Sequence, residues 1–141
     1  MQVDITNKTR QKVSQNFVKR VVLDFCRMYK VKESELSIVF IGDRLMRRLN
    51  KQLRRKDKVT DILTFSGEDD LFGELIIDYQ QIKRQAAKFA LPVRIELAYI
   101  LIHGLLHLRG HKDDLEKDAQ KMAEIGQSLI KKFFSVKIDL Q

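Results

Sequence analysis

The sequence predicts a single α+β domain: a small mixed β-sheet containing a hairpin, packed with helices around one buried helix that bears two histidines. Three observations carry that prediction. Short β-rich runs such as Glu35 to Ile41 (ELSIVFI) alternate along the chain with stretches of helical period. The run from Val93 to about Arg109 is apolar nearly all round, the pattern of a helix enclosed by its neighbours. A length of 141 residues suits one domain, and a chain of that size buries roughly two-thirds of its unfolded surface without disulfides.

The elements follow in order. Met1 to Thr6 reads as a first strand. Lys8 to Tyr29 reads as an amphipathic helix, because Val13, Phe17, Val21 and Phe25 recur four apart. Gly42 bounds the ELSIVFI strand, and Asp43 is the expected cap of a helix running to about Arg54. Thr60 to Phe65 (TDILTF) and Gly73 to Ile77 (GELII) are strands joined through the polar loop SGEDDLF, which predicts the hairpin. Tyr79 to Phe89 is a helix stopped by Leu91-Pro92. The buried helix follows, and the last helix runs from about Leu115 to Phe133, with apolar residues at Leu115, Ala119, Met122, Leu129 and Phe133. The tail SVKIDL is read as a strand or a surface segment. No repeat, linker or low-complexity segment interrupts the chain, so residues 1–141 form one domain.

The single cysteine, Cys26, excludes an intramolecular disulfide and falls in an apolar helical pattern, which fits a reducing cytoplasmic setting. Met1 to Arg10 lacks the pattern of a secretory leader. The longest apolar run, Leu97 to Leu108, is too short to span a bilayer. A soluble, cytoplasmic protein without membrane partners is expected. Its net charge of +8 favours polyanionic partners, of which nucleic acid is the commonest.

The segment HGLLHLRGHKD, from His103 to Asp113, is the most specific chemical signal. Residues four apart on a helix project from one face, so His103 and His107 are placed to hold one ion. Gly110 tolerates the left-handed conformation that ends a helix, and would turn the chain back. His111, Asp113 or Asp114 would then close the site, all three being competent zinc ligands. A zinc peptidase carries its glutamate base directly after the first histidine. Here that position is Gly104, so the frame points to metal-assisted hydrolysis of a different substrate.

A second signal is the helix from Asp43. Leu45, Leu49 and Leu53 share one face, while Arg44, Arg47, Arg48, Lys51 and Arg55 share another, with no acid after the cap. A solvated face usually mixes signs, so this one reads as a stripe that contacts phosphates rather than bases. It runs into RRKDKVTDILTF, where Arg54, Lys56 and Asp57 stand in a loop at a strand's entrance. An arginine there can clamp a phosphate and stabilise charge that grows on it.

LNKQLRRKDKVTDILTFS and HGLLHLRGHKD together resemble the YbeY family of metal-dependent endoribonucleases, whose patterns are L-N-x-x-[YF]-R-x-K-D-x-P-T-D-V-L-S-F and H-G-x-L-H-L-x-G-Y-D-H. GELIID resembles the strand before that family's buried helix, so the resemblance spans nearly the whole chain. It implies a zincin-like ligand set used on RNA, with one zinc ion per chain. His103 and His107 would be metal ligands, His103 also counting among the catalytic residues, and Arg54 would be the catalytic arginine. Two positions depart from the pattern. Val59 replaces a proline, and Asp113 occupies the place of the third-ligand histidine, behind His111 and Lys112. Asp113 is the expected third ligand, with His111 as the alternative.

The resemblance implies single-strand-specific cleavage in ribosomal RNA maturation (the 3′ end of 16S ribosomal RNA) and ribosome quality control, with ribosomal RNA and the small subunit as partners. Arg44, Arg47, Arg48, Lys51, Arg55 and Lys56 are the expected RNA contacts. Two alternatives are a metallopeptidase-like hydrolase lacking the usual glutamate, and a non-catalytic assembly factor with a structural metal.

Overall fold

The protein is described here from a computed structural model, which covers residues 1–111 and 115–134. The expected ligand Asp113, its neighbour Asp114 and the SVKIDL tail lie outside the described residues. The elements run β1 (Gln2–Asn7), α1 (Gln15–Met28), β2 (Glu35–Ile41), α2 (Asp43–Arg54), β3 (Ile62–Ser66), β4 (Leu71–Asp78), α3 (Tyr79–Lys88), α4 (Val93–Leu108) and α5 (Glu116–Phe134). The four strands form one mixed sheet in the order β1-β2-β4-β3. β1, β2 and β4 are parallel, and β3 pairs antiparallel to β4 as the predicted hairpin, leaving β3 on an edge. The expected α+β architecture is what forms.

Strand alternation sorts the apolar side chains between two faces. Leu36, Ile38, Phe40, Leu75 and Ile77 point to one face, where they meet α1, α3, α4 and α5. Ile41 and Leu63 point to the other and meet Met46 of α2. Helix α4 lies at the centre of the larger core, packed against α1, α3, α5 and β3. Eight of its apolar side chains, from Ile95 to Leu106, are buried. Each such burial contributes roughly 1.5–3 kcal/mol, so this helix is the main store of hydrophobic free energy. Among the described residues no single helix is long and apolar enough to cross a membrane. Cys26 is buried in α1, and burial pushes its thiol up to about 11, so it behaves as a small apolar side chain.

Strands β3 and β4 are shifted from the sequence reading, to Ile62–Ser66 and Leu71–Asp78, and two helix starts differ from it for a local reason. Helix α1 starts seven residues later than Lys8. The Asn7 side chain accepts from the Thr9 amide and hydroxyl, and the Thr9 hydroxyl accepts from the Gln11 amide. These local bonds compete with helix formation, and the helix begins only after Ser14 caps the Phe17 amide. Helix α2 is capped by Gly42 rather than Asp43, which sits inside the first turn. The Asp43 carboxylate instead receives both guanidinium nitrogens of Arg84, at 2.7 and 3.1 Å.

Arg84 and Asp43 belong to a cluster that ties the start of α2 to the start of α3. Asp78, fully buried, caps α3 by accepting from the Gln81 amide at 3.2 Å. Burial first, then a hydrogen bond with Asp43, push the Asp78 carboxyl up to about 7. Asp43 is held below the ordinary carboxylate range, chiefly by its bond to Arg84 and then by that to Asp78. The two carboxyls thus shift in opposite directions, Asp43 downward and Asp78 upward.

Helix α4 reaches the sheet closely because two glycines leave room. A Cβ at Gly104 would sit 2.7 Å from the Ile62 side chain and 3.0 Å from that of Leu75. A Cβ at Gly73 would sit 2.5 Å from the Leu108 side chain and 2.7 Å from the Phe65 backbone carbonyl. Gly104 therefore faces the sheet, and a glutamate there would drive its carboxylate into the apolar interface.

Two outcomes are expected. Gly73→Ala should lower stability by about 1–3 kcal/mol, because the clashing carbonyl is backbone and cannot move aside. Gly104→Ala should cost less, since Ile62 can rotate away and alanine gains about 1 kcal/mol of helix propensity. Denaturant midpoints decide; a Gly73→Ala variant as stable as the parent would refute the close approach. For Asp78, a raised folded pKa gives stability that is full below the ordinary value near 3.8 and is lost as pH rises through about 7. Asp78→Asn keeps a capping side chain but cannot ionise. Its stability relative to the parent should grow by more than about 1 kcal/mol between about pH 3 and pH 8.5, the range over which the parent loses that contribution. The same difference at both pH values would refute the raised Asp78 pKa.

Candidate active site

His103 and His107 stand on the last two turns of α4, and their Nε2 atoms are 3.2 Å apart with the rings nearly edge to face. The helix stops just beyond them. Gly110 takes a left-handed φ of 98°, its amide donates to the His107 carbonyl, and the His111 amide donates to that of Leu106. This is the pair of bonds that closes a helix on a glycine, and it confirms the turn expected of Gly110. Two donors of one tetrahedral zinc, with bonds of about 2.05 Å, stand about 3.3 Å apart. The imidazole pair therefore fits such an ion on both donor type and separation.

The histidines line a cleft of about 610 Å³ that wraps around the edge strand β3 from α4 to the end of α2. Thr60, Asp61 and Thr64 form its polar wall, and Arg54 lines it together with the half-exposed Leu53. Arg54 occupies the last turn of α2, where a cation complements the helix dipole. The chain then breaks through Arg55, at a left-handed φ of 58°. Buried Asn50 holds the following loop: its side-chain amide nitrogen donates to the Lys58 carbonyl at 2.9 Å, and its backbone carbonyl accepts from the Lys56 amide. Val59, at the position expected to hold proline, packs against the Met46 and Leu63 cluster.

Helix α2 corrects the sequence reading in one respect. Its buried residues are Met46 and Asn50; Leu45 and Leu49 are partly covered, and Leu53 is open to the cleft. Arg44, Arg47, Arg48, Lys51, Arg55 and Lys56 are all exposed. The stripe does meet an acid, because the loop brings Asp57 back onto it. Arg47 bonds Asp57 at 2.8 Å, and Lys51 lies 4.0 Å from it. Hydrogen bonding and charge from Arg47 hold the Asp57 carboxyl below its ordinary range. Among the described residues no ion pair engages Arg44, Arg48, Arg55 or Lys56.

The structure thus brings His103, His107 and Arg54 to one cleft. His111 lines a separate depression beside Asp118, Lys121 and Met122 of α5. Among the described residues no third histidine, cysteine, aspartate or glutamate joins the imidazole pair; Asp113 lies outside the described residues.

Three further residues shape the site without having been singled out from the sequence. Gln85 of α3 donates from one amide nitrogen to Asp61 at 3.2 Å and to Glu96 at 2.9 Å. Glu96 is only 5% exposed, and burial pushes its carboxyl above the ordinary range despite the bond from Gln85. Tyr99 stacks on the His103 ring at 6.5 Å, and burial raises its hydroxyl pKa. Glu96 lies seven residues before His103 on the same helical face, the one sequence signal that pointed to it.

Comparison with known proteins places this geometry. Residues 2–134 match the family model described as Endoribonuclease YbeY. A protein of that name from Persephonella marina is 32% identical over 134 residues, covering 87% of this chain and 88% of its own length. Another from Myxococcus xanthus is 36% identical over 123 residues, covering 79% of this chain; the chain spans 42% of that longer protein. The solution structure of TM1509 from Thermotoga maritima shares the fold, with a TM-score of 0.66 and 21% identity, over 94% of this chain and 89% of that one. With the family model matched over nearly its whole length, this chain belongs to the endoribonuclease YbeY family.

Proposed function

We propose that this chain hydrolyses phosphodiester bonds of single-stranded RNA in the cleft between Arg54 and the two histidines, with one zinc ion per chain held by His103 and His107. The observation that carries the reading is the meeting of Arg54 with an imidazole pair of ligand separation, in a member of an endoribonuclease family. Asp113 is the preferred third ligand, since it lies three residues beyond Gly110 and occupies the family's third-ligand position. His111 remains the alternative, although it lines the depression against α5. A bound zinc ion supplies Lewis acidity and lowers the pKa of water towards about 7.

The protein's own groups do the rest. Arg54 presents planar paired donors to the phosphate and offsets charge that develops on its oxygens. Arg44, Arg48, Arg55 and Lys56, with Arg47 and Lys51 shared with Asp57, hold the flanking backbone by charge and therefore without base preference. Apolar Leu53 and Phe65 border the cleft and limit water beside the phosphate. The setting proposed is the cytoplasm, with ribosomal RNA as substrate, the 3′ end of 16S ribosomal RNA and ribosome quality control as the role, and the small subunit as partner.

The test is incubation of metal-loaded protein with ribosomal RNA beside a His103→Ala, His107→Ala control. Cleavage and near-stoichiometric metal should both disappear in the control. Equal metal content in the two proteins would remove the site. Binding and cleavage should also separate by residue. Replacing Arg44, Arg47 and Arg48 with alanine should weaken RNA binding across sequences and flatten its salt dependence. Arg54→Ala should instead lower the cleavage rate about 100-fold, the scale of losing one charge-stabilising donor, with modest loss of binding. Normal cleavage by Arg54→Ala would overturn its assignment.

A further inference from the structure

Asp61 is the one acid that lines the cleft among the described residues. A carboxylate beside Arg54 and an RNA backbone poses a problem, because it repels the phosphates that the cleft otherwise attracts. Such a group needs a donor opposite it, or it lowers affinity. The donors already present do not fill its capacity. Its Oδ2 accepts from Gln85 at 3.2 Å, while among the described residues its Oδ1 has only the Thr60 hydroxyl, at the outer limit of 3.5 Å.

Nor is Asp61 a loose surface acid. Its backbone carbonyl accepts from the Asp78 amide at 2.9 Å, which ties the entrance of β3 to the end of β4. Its side chain is held by Gln85, and Gln85 is held in turn by the buried Glu96 at 2.9 Å. One amide nitrogen bridging two carboxylates fixes the direction of both. The arrangement keeps an oriented acceptor at the cleft wall at an electrostatic cost.

Given the RNA-cleaving reading above, on which this inference rests, we propose that Asp61 is the cleft's ribose reader: its Oδ1 accepts a hydrogen bond from a ribose 2′-hydroxyl of the bound strand. The 2′-hydroxyl is the donor that RNA has and DNA lacks. A phosphate-binding stripe cannot make that distinction, since both nucleic acids offer it the same backbone. Asp61 supplies the discrimination, and Gln85 is its positioning residue.

The experiment measures equilibrium binding of a single-stranded oligoribonucleotide and the oligodeoxyribonucleotide of the same sequence to the intact protein, at low temperature, with strand integrity checked on a gel. The parent protein should prefer RNA, and Asp61→Ala should lower RNA affinity roughly tenfold or more while leaving DNA affinity unchanged or higher. Asp61→Asn, which keeps an acceptor oxygen, should retain part of the preference. Gln85→Ala should move the ratio in the same direction by less.

A merely structural role for Asp61 would lower RNA and DNA binding together, and that result overturns the proposal. So does a parent protein that binds both strands equally, or an Asp61→Ala variant that keeps the full preference. A parent protein that binds neither strand would instead overturn the RNA-cleaving reading itself. Metal content of each variant is measured in parallel and should match the parent, since Asp61 is assigned to the substrate.

Discussion

Everything at the site depends on how closely α4 lies on the edge of the sheet. Gly104 and Gly73 remove the side chains that would hold helix and strands apart, so Ile62, Leu75 and Leu108 fill the space instead. That contact places the last two turns of α4 beside the edge strand β3, with His103 and His107 at the rim of the cleft. It also answers why a glycine follows the first histidine. Position 104 looks into the sheet rather than across the cleft, so no base could work from there. The hydrophobic contact and the placement of the imidazoles are one feature seen at two levels.

Charge organises the second wall. Helix α2 lies on the opposite face of the sheet from α4, and Arg54, in its last turn, lines the cleft together with β3. Two polar anchors set its position: the Asp43–Arg84–Asp78 cluster at its start and Asn50 beneath its final turns. Asp57 then takes up part of the charge of Arg47 and Lys51. These exposed pairs add little to stability; among the described residues they leave Arg44, Arg48, Arg55 and Lys56 as the cations of the stripe without an ion pair.

Periodicity made most of the fold legible. The bounds of β2, the hairpin, the enclosed α4 and the turn at Gly110 follow from local patterns, and all four formed as read. The failures arose where a side chain found a partner that local pattern does not encode. Asn7 and Thr9 folded their own segment into turns and delayed α1. Asp43 bonded Arg84, 41 residues away, instead of capping its own helix. The cations of α2 were legible, but Asp57 returning onto them was not. Asp61 stood inside a quoted motif with no role, because its partner Gln85 lies 24 residues downstream on another helix. Spacing on one helix found the imidazole pair; the carboxylate–amide–carboxylate bridge needed the tertiary fold.

The central claim is that the packing of α4 sets two imidazoles at ligand separation, facing a cleft that Arg54 closes from the other side. Diffraction from zinc-loaded crystals, collected on both sides of the zinc absorption edge, tests it most directly. The account predicts a single anomalous peak about 2.0–2.1 Å from both Nε2 atoms, on the side of the rings that faces Arg54. A peak elsewhere on the protein, or a zinc-saturated crystal with none at the His103 and His107 pair, would contradict it.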